Sequence, residues 1–158
     1  DPGIVAAAAV EPRHFQVTVE PRPGHLLREN VLWDAAQYVL RRFPDDGTTA
    51  VRSSHAIDVL APGVSQRALL DDLRPSAGAR RAVLAIGDRG RWPGNDFALL
   101  QEPLSLSVDE VSPDPDTCWN LAPAGWRGPQ ATEAYLRALV CSDGGFRVDV
   151  HRLFRESA

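Results

Sequence analysis

The sequence predicts an α/β fold in two parts: a small α+β unit over residues 1–60, then part of a doubly wound parallel sheet over residues 61–158. Three observations carry this. Ala82–Ile86 is an unbroken apolar run closed by Gly87-Asp88, the pattern of a strand buried on both faces. From Ser65 onward the apolar spacing alternates helix, strand, helix, strand, helix. Ahead of it the order is strand, helix, strand, strand.

Residues 1–13 hold an alanine run between prolines and read as a linker or a frayed strand. Phe15, Val17 and Val19 alternate with Gln16 and Thr18, giving a half-buried strand that Pro21 and Pro23-Gly24 break. His25 to Phe43 predicts an amphipathic helix with Leu27, Val31, Ala35, Tyr38 and Val39 on one face. Thr49–Arg52 and His55–Leu60 predict a hairpin. Past Pro62-Gly63, Ser65 caps a short helix through Leu73, with Leu69, Leu70 and Leu73 inward and a loop at Pro75–Gly78.

After the Ala82 strand, Gly90 and Pro93-Gly94 mark a loop, and Asn95 or Asp96 caps a helix carrying Phe97, Leu99 and Leu100. Leu104, Leu106 and Val108 alternate with Ser105 and Ser107 in a further strand. Residues 109–129, rich in Pro, Asp and Gly, predict a long irregular loop pinned by Trp119 and Trp126. Ala131, Ala134, Tyr135, Ala138 and Leu139 share one face of a last helix, which Gly144-Gly145 ends; Phe146, Val148 and Val150 form a closing strand.

Composition excludes some functions. The formal net charge is −4 with no run of one sign, so nucleic-acid binding has no electrostatic support. No apolar run approaches a membrane span, and no signal peptide opens the chain, so no membrane partner is expected. All 17 basic residues are Arg, which removes lysine chemistry. Cys118 and Cys141 lack metal-ligand spacing; two free thiols, with a disulfide as the alternative, fit a cytoplasmic protein. The chain has no Met and starts at Asp1, so the expectation is that either a leader has been removed or it is a piece of something longer.

The chemistry concentrates at Asp88 and Asp96. A carboxylate at the carboxyl end of a buried strand faces the ligand crevice of an open α/β sheet. Asp96, with Asn95 beside it, returns to the same mouth, and hard oxygen ligands flanking a turn suit magnesium. The alternative is a turn Asp and a helix N-cap, both common uses of Asp.

The run His55-Ala-Ile-Asp-Val-Leu-Ala-Pro-Gly-Val-Ser-Gln-Arg-Ala-Leu-Leu, followed by Ala85-Ile-Gly-Asp88 and Asn95-Asp96-Phe-Ala-Leu-Leu, resembles the carboxyl half of a haloacid-dehalogenase-like (HAD) phosphatase. The nearest subgroup in pattern is the Cof-type and sucrose-phosphate-phosphatase-like one. The resemblance spans residues 48–108. It implies Mg²⁺-dependent hydrolysis of a small phosphorylated molecule, often a sugar phosphate, through an Asp nucleophile. It makes Asp88 a metal ligand supported by Asp96 and Asn95, and Gln66 and Arg67 the phosphate-binding pair. It turns residues 1–60 into the later part of a cap domain, with Arg52 and His55 toward substrate, and residues 61–158 into the carboxyl-terminal part of the core.

The chain departs from the family pattern in four ways. The aspartate-x-aspartate-glycine nucleophile motif has no counterpart: Asp45-Asp46-Gly47-Thr48 follows Pro44 at a helix end with no apolar strand before it. No catalytic residue is therefore assigned within this chain. The family's phosphate-binding Thr or Ser has no counterpart either. Gln66 stands where the family has lysine, and Arg67 beside it points about 100° away on a helix. Asp88 and Asp96 are eight apart, where the usual pattern is four, so Arg91-Trp-Pro-Gly94 bulges outward and brings Arg89, Arg91 or Trp92 toward the mouth.

Three functions follow. One is a Mg²⁺-dependent phosphatase completed by an amino-terminal part of the same protein or by a partner chain. The second is a catalytically silent HAD-like binding module, and the third an unrelated α/β interaction domain.

Overall fold

The computed structural model describes residues 2–44, 47–77, 82–142 and 145–155. The chain divides into two units: residues 1–65 with 93–95, and residues 66–92 with 96–158.

The first unit is a four-stranded sheet with a helix on one face. Helix α1 (Pro2–Ala7) leads into β1 (Ala8–Pro12), which pairs antiparallel with β2 (Gln16–Pro21). After α2 (Glu29–Leu40) come β3 (Thr49–Arg52) and β4 (Ile57–Leu60), in the order β1-β2-β4-β3. The register sets Val17 opposite Val59 and Val19 opposite Ile57, so these side chains share one face. On the other face Thr18 donates to Asp58 Oδ1 at 2.6 Å, and Gln16 Nε2 donates to the same oxygen at 3.2 Å. Residues 93–95 join this unit through Arg52, whose N–H donates to the Pro93 carbonyl and whose carbonyl accepts from Asn95 N–H, both at 2.9 Å.

One expectation is settled here and another changes. Of the two readings of residues 1–13, linker or frayed strand, residues 8–12 follow the second and are fully paired at the sheet edge: the ladder with β2 supplies what an alanine-rich sequence lacks in intrinsic preference. The buried stripe of α2 is Leu32, with Trp33, Ala36 and Leu40 packed around it, one position on from the stripe the spacing suggested. Tyr38 lies at the surface instead, with the Arg42 guanidinium over its ring.

The second unit runs α3 (Gln66–Ala77), β5 (Ala85–Arg89), α4 (Phe97–Leu100), β6 (Ser105–Glu110), α5 (Gly128–Ala138), β7 (Leu139–Ser142), β8 (Gly145–Val148) and α6 (Val150–Leu153). β5 and β6 are parallel, and β7 and β8 form an antiparallel pair. This is mixed α/β, with one parallel pair among the described residues where the sequence predicted part of a doubly wound sheet. Both faces of the pair are covered. Leu106 and Val108 pack with Ala131, Ala134, Tyr135 and Ala138 of α5, the helix face that the spacing predicted. On the other side Ser105 Oγ donates to the carbonyls of Leu100 and Glu102, tying β6 to the end of α4. That is how a strand reading Ser-Leu-Ser-Val is buried on both faces.

Helix α3 continues past Leu73 to Ala77, through the position of Pro75, and of its three inward candidates Leu70 alone is buried. The stretch after Ala138 is a hairpin rather than more helix, and Val150 starts α6 rather than ending a strand. Asp149 caps α6 by accepting from the N–H groups of His151 and Arg152. Residues 111–127 are irregular, as predicted. Trp126 packs on the core while the Trp119 ring stays half-exposed; it is the Trp119 backbone that bridges to Leu106. Both cysteines are free, Cys118 buried and Cys141 exposed. Among the described residues no helix is long and apolar enough to cross a membrane.

Candidate functional site

Strand β5 carries Asp88 at an irregularity in its pairing. Gly87 faces Ser107 and Arg89 faces Glu110, so β6 holds one residue more than β5 across this step. Such a bulge re-aims the side chains beside it. Ser107 Oγ stabilises it by donating to the Glu110 carbonyl at 2.6 Å and accepting from Asp109 N–H at 3.1 Å.

Asp96 sits at the N-cap position of α4 but does not cap that helix. Its Oδ2 accepts instead from Asp88 N–H at 2.8 Å and Arg89 N–H at 3.4 Å. Asp96 is buried. Gly87 makes room for it: a Cβ at Gly87 would lie 2.6 Å from Asp96 Oδ2. Sequence spacing suggested that Asp88 and Asp96 share a mouth, and the structure places both on the lining of one cleft.

Burial, reinforced by the hydrogen bond and charge of Asp96, holds the Asp88 carboxyl above the usual carboxylate range. The folded chain thus binds this proton more tightly than the unfolded chain. Stability falls as pH rises between the ordinary and the raised value, and the penalty persists above it. Asp88→Asn removes the penalty. The variant's melting temperature at neutral pH is expected to exceed that of the native chain and to lose that fall, which thermal melts from about pH 4 to 8 will read.

The pair lines a cleft of about 630 Å³ together with Gly128, Pro129, Thr132, Glu133 and Leu136 of α5. These wall residues were not singled out by sequence reasoning; the signal available was Gly128-Pro129 opening a helix directly after a strand and loop.

The other predicted residues are placed elsewhere. Asn95 is held through its backbone by Arg52 in the first unit. Gln66 is exposed at the start of α3. Arg67 forms an ion pair with the buried Glu102 at 3.5 Å. The Arg52 guanidinium lies over the Trp33 ring, 5.9 Å from its centroid. His55 is exposed in the β3–β4 turn with Ser54 Oγ 3.2 Å from its Nδ1, and it borders a cleft of about 500 Å³ with His25 and Arg22. Of the residues the insertion was expected to bring to the mouth, Arg89 at the end of β5 pairs with Glu110 at 3.0 Å and Trp92 packs edge-on against Phe97; neither they nor Arg91 line the Asp88–Asp96 cleft. Asp45 and Asp46, the superficial match to the nucleophile motif, lie outside the described residues.

Mg²⁺ takes oxygen ligands in an octahedron and is commonly held by one or two carboxylates plus water and substrate phosphate. Asp88 and Asp96 fit that role as a partial donor set. Among the described residues no third His, Cys, Asp or Glu completes a metal-binding group.

No protein-family model matches the sequence, and no curated protein is similar to it. Among solved structures the chain resembles in part an N-terminally truncated IMP-nucleotidase of Plasmodium falciparum, at 16% identity and a TM-score of 0.46. The likeness covers 71% of this chain and 32% of the other, so the chain spans about a third of that protein's length. A likeness of this size does not by itself assign a fold family.

Proposed function

We propose that this chain is the metal-binding part of a Mg²⁺-dependent, HAD-like phosphomonoesterase acting on a small phosphorylated molecule. The observation that carries the reading is that Asp88 and Asp96 line one cleft at the end of a parallel strand, with Asp96 Oδ2 bound to the Asp88 N–H. The resemblance of residues 48–108 to the family's ordered motifs supports it. In this reading residues 1–60 belong to a substrate-selecting cap and 61–158 to the core, and His55 remains the cap residue open to substrate. The nucleophile comes from an amino-terminal part of the same protein or from a partner chain.

Each side chain then has a task. Asp96 fixes the backbone at Asp88 and Arg89 and so sets the direction of the Asp88 carboxylate. Gly87 keeps the space for Asp96, and α5 bounds the volume in which the ester lies. A bound Mg²⁺ supplies positive charge against the transferring phosphoryl group. Phosphate release by the intact protein in Mg²⁺ tests the reading: Asp88→Asn is expected to abolish release, by about a hundredfold or more, with the fold retained. Undiminished release by that variant would exclude the assignment.

One observation favours a catalytically silent binding module instead. Gln66 replaces the family's lysine, and the neighbouring Arg67 is already paired with Glu102. That reading predicts phosphate-ligand binding with no turnover in any form of the protein.

A further inference from the structure

The walls of the Asp88–Asp96 cleft speak to the substrate. Ile86, Val108, Pro129 and Leu136 supply its sides. Leu136 is 58% exposed, on a helix whose buried residues are Ala131, Ala134, Tyr135 and Ala138, and it borders the open cleft. The two further polar side chains there are engaged. Thr132 Oγ1 donates to the Gly128 carbonyl at 3.0 Å, and Glu133 accepts from Arg137 at 2.7 Å. The cleft is open to solvent, so a sugar ring lying on these walls keeps part of its water but finds few polar partners and gains little from the apolar lining. An alkyl or aryl group gains from the same walls. The volume, about 630 Å³, lies in the range of small-molecule sites.

Resting on the phosphatase reading, we propose that the group esterified to phosphate is apolar, an alkyl or aryl alcohol rather than a sugar, and that Ile86, Val108, Pro129 and Leu136 of the core act beside the cap in selecting it. Of the two sequence expectations, phosphorylated metabolite in general and sugar phosphate in particular, the walls favour the general one and oppose the particular one.

The test is amide NMR titration of the full chain in Mg²⁺, with phenylphosphonate and glucose 6-phosphate as probes. Phenylphosphonate is expected to shift the resonances of Ile86, Val108 and Leu136 and to bind about tenfold more tightly than the sugar phosphate, the scale of a few apolar contacts. Leu136→Gln is expected to weaken phenylphosphonate about fivefold and leave glucose 6-phosphate unchanged. Equal or tighter binding of glucose 6-phosphate would overturn the apolar specificity while leaving the phosphatase reading standing. If Mg²⁺ and both probes leave the resonances of Asp88 and the cleft unmoved, the phosphatase reading falls, and the specificity falls with it.

Discussion

Gly90→Ala is expected to destabilise the chain by about 3 kcal/mol, the upper end of what overpacking a filled interior costs. Gly90 is buried, and a Cβ there would lie 2.2 Å from Cys118 Sγ and 2.7 Å from the Glu110 carbonyl oxygen. Neither neighbour yields easily. The Glu110 oxygen accepts from Ser107 Oγ and from Gly90 N–H, and the Cys118 backbone N–H donates to Ser105 Oγ at 2.9 Å. Cys118 also holds a left-handed backbone conformation, φ 59°, a geometry that side chains other than glycine seldom take. Urea denaturation measures the loss. Adding Cys118→Ala to Gly90→Ala is expected to recover part of it, because the sulfur contact goes and the carbonyl contact stays. A full-size loss in the double variant would place the strain elsewhere.

Tyr135→Phe should cost about 1–3 kcal/mol by leaving buried backbone groups without their partner. The ring is fully buried. Its hydroxyl donates to the Ser107 carbonyl at 2.8 Å and accepts from Leu121 N–H at 2.9 Å, with Asn120 Oδ1 at 3.0 Å. One hydroxyl thereby fastens the irregular stretch after Trp119 to the strand that flanks Asp88. The urea midpoint should fall with an unchanged slope, and amide exchange at Leu121 should accelerate most. A variant with native stability would show that the loop is held by Trp126 and Cys118 instead.

What the sequence revealed, and what it concealed, follows from how local each signal is. The helix face 131, 134, 135, 138 was legible because a period of 3.6 leaves a pattern in one segment. So was the nearness of Asp88 and Asp96, since an apolar strand, a loop and a helix start force the two ends together. Strand β1 was legible only as one of two alternatives, because its alanines and prolines gain strand geometry from pairing with β2. The β7–β8 pair did leave a signal in the sequence, Gly144-Gly145 between two short apolar runs, but the same glycines suit the end of a helix equally well. The roles of Gly87 and Gly90 depend on what approaches them from distant positions, Asp96 and Cys118. Arg67 likewise drew its partner from a residue 35 positions on, Glu102, and no pattern around Gln66 announces that pairing.

Asp96 shows why the site and the fold are one problem here. A carboxylate at an N-cap position normally serves its own helix; this one reaches back to the strand and holds the N–H groups of Asp88 and Arg89. The cost is a pair of neighbouring carboxyl groups: burial first, then the neighbouring Asp96, pushes the Asp88 carboxyl above the usual carboxylate range. A divalent cation would turn that repulsion into affinity.

The central claim is therefore tested most directly by titrating Mg²⁺ into the chain by calorimetry, with Asp88→Asn beside it. Saturable binding that raises the native melting temperature, and is lost in the variant, is the predicted result. No binding by the native chain, or equal binding by both proteins, would contradict a metal site built on Asp88 and Asp96.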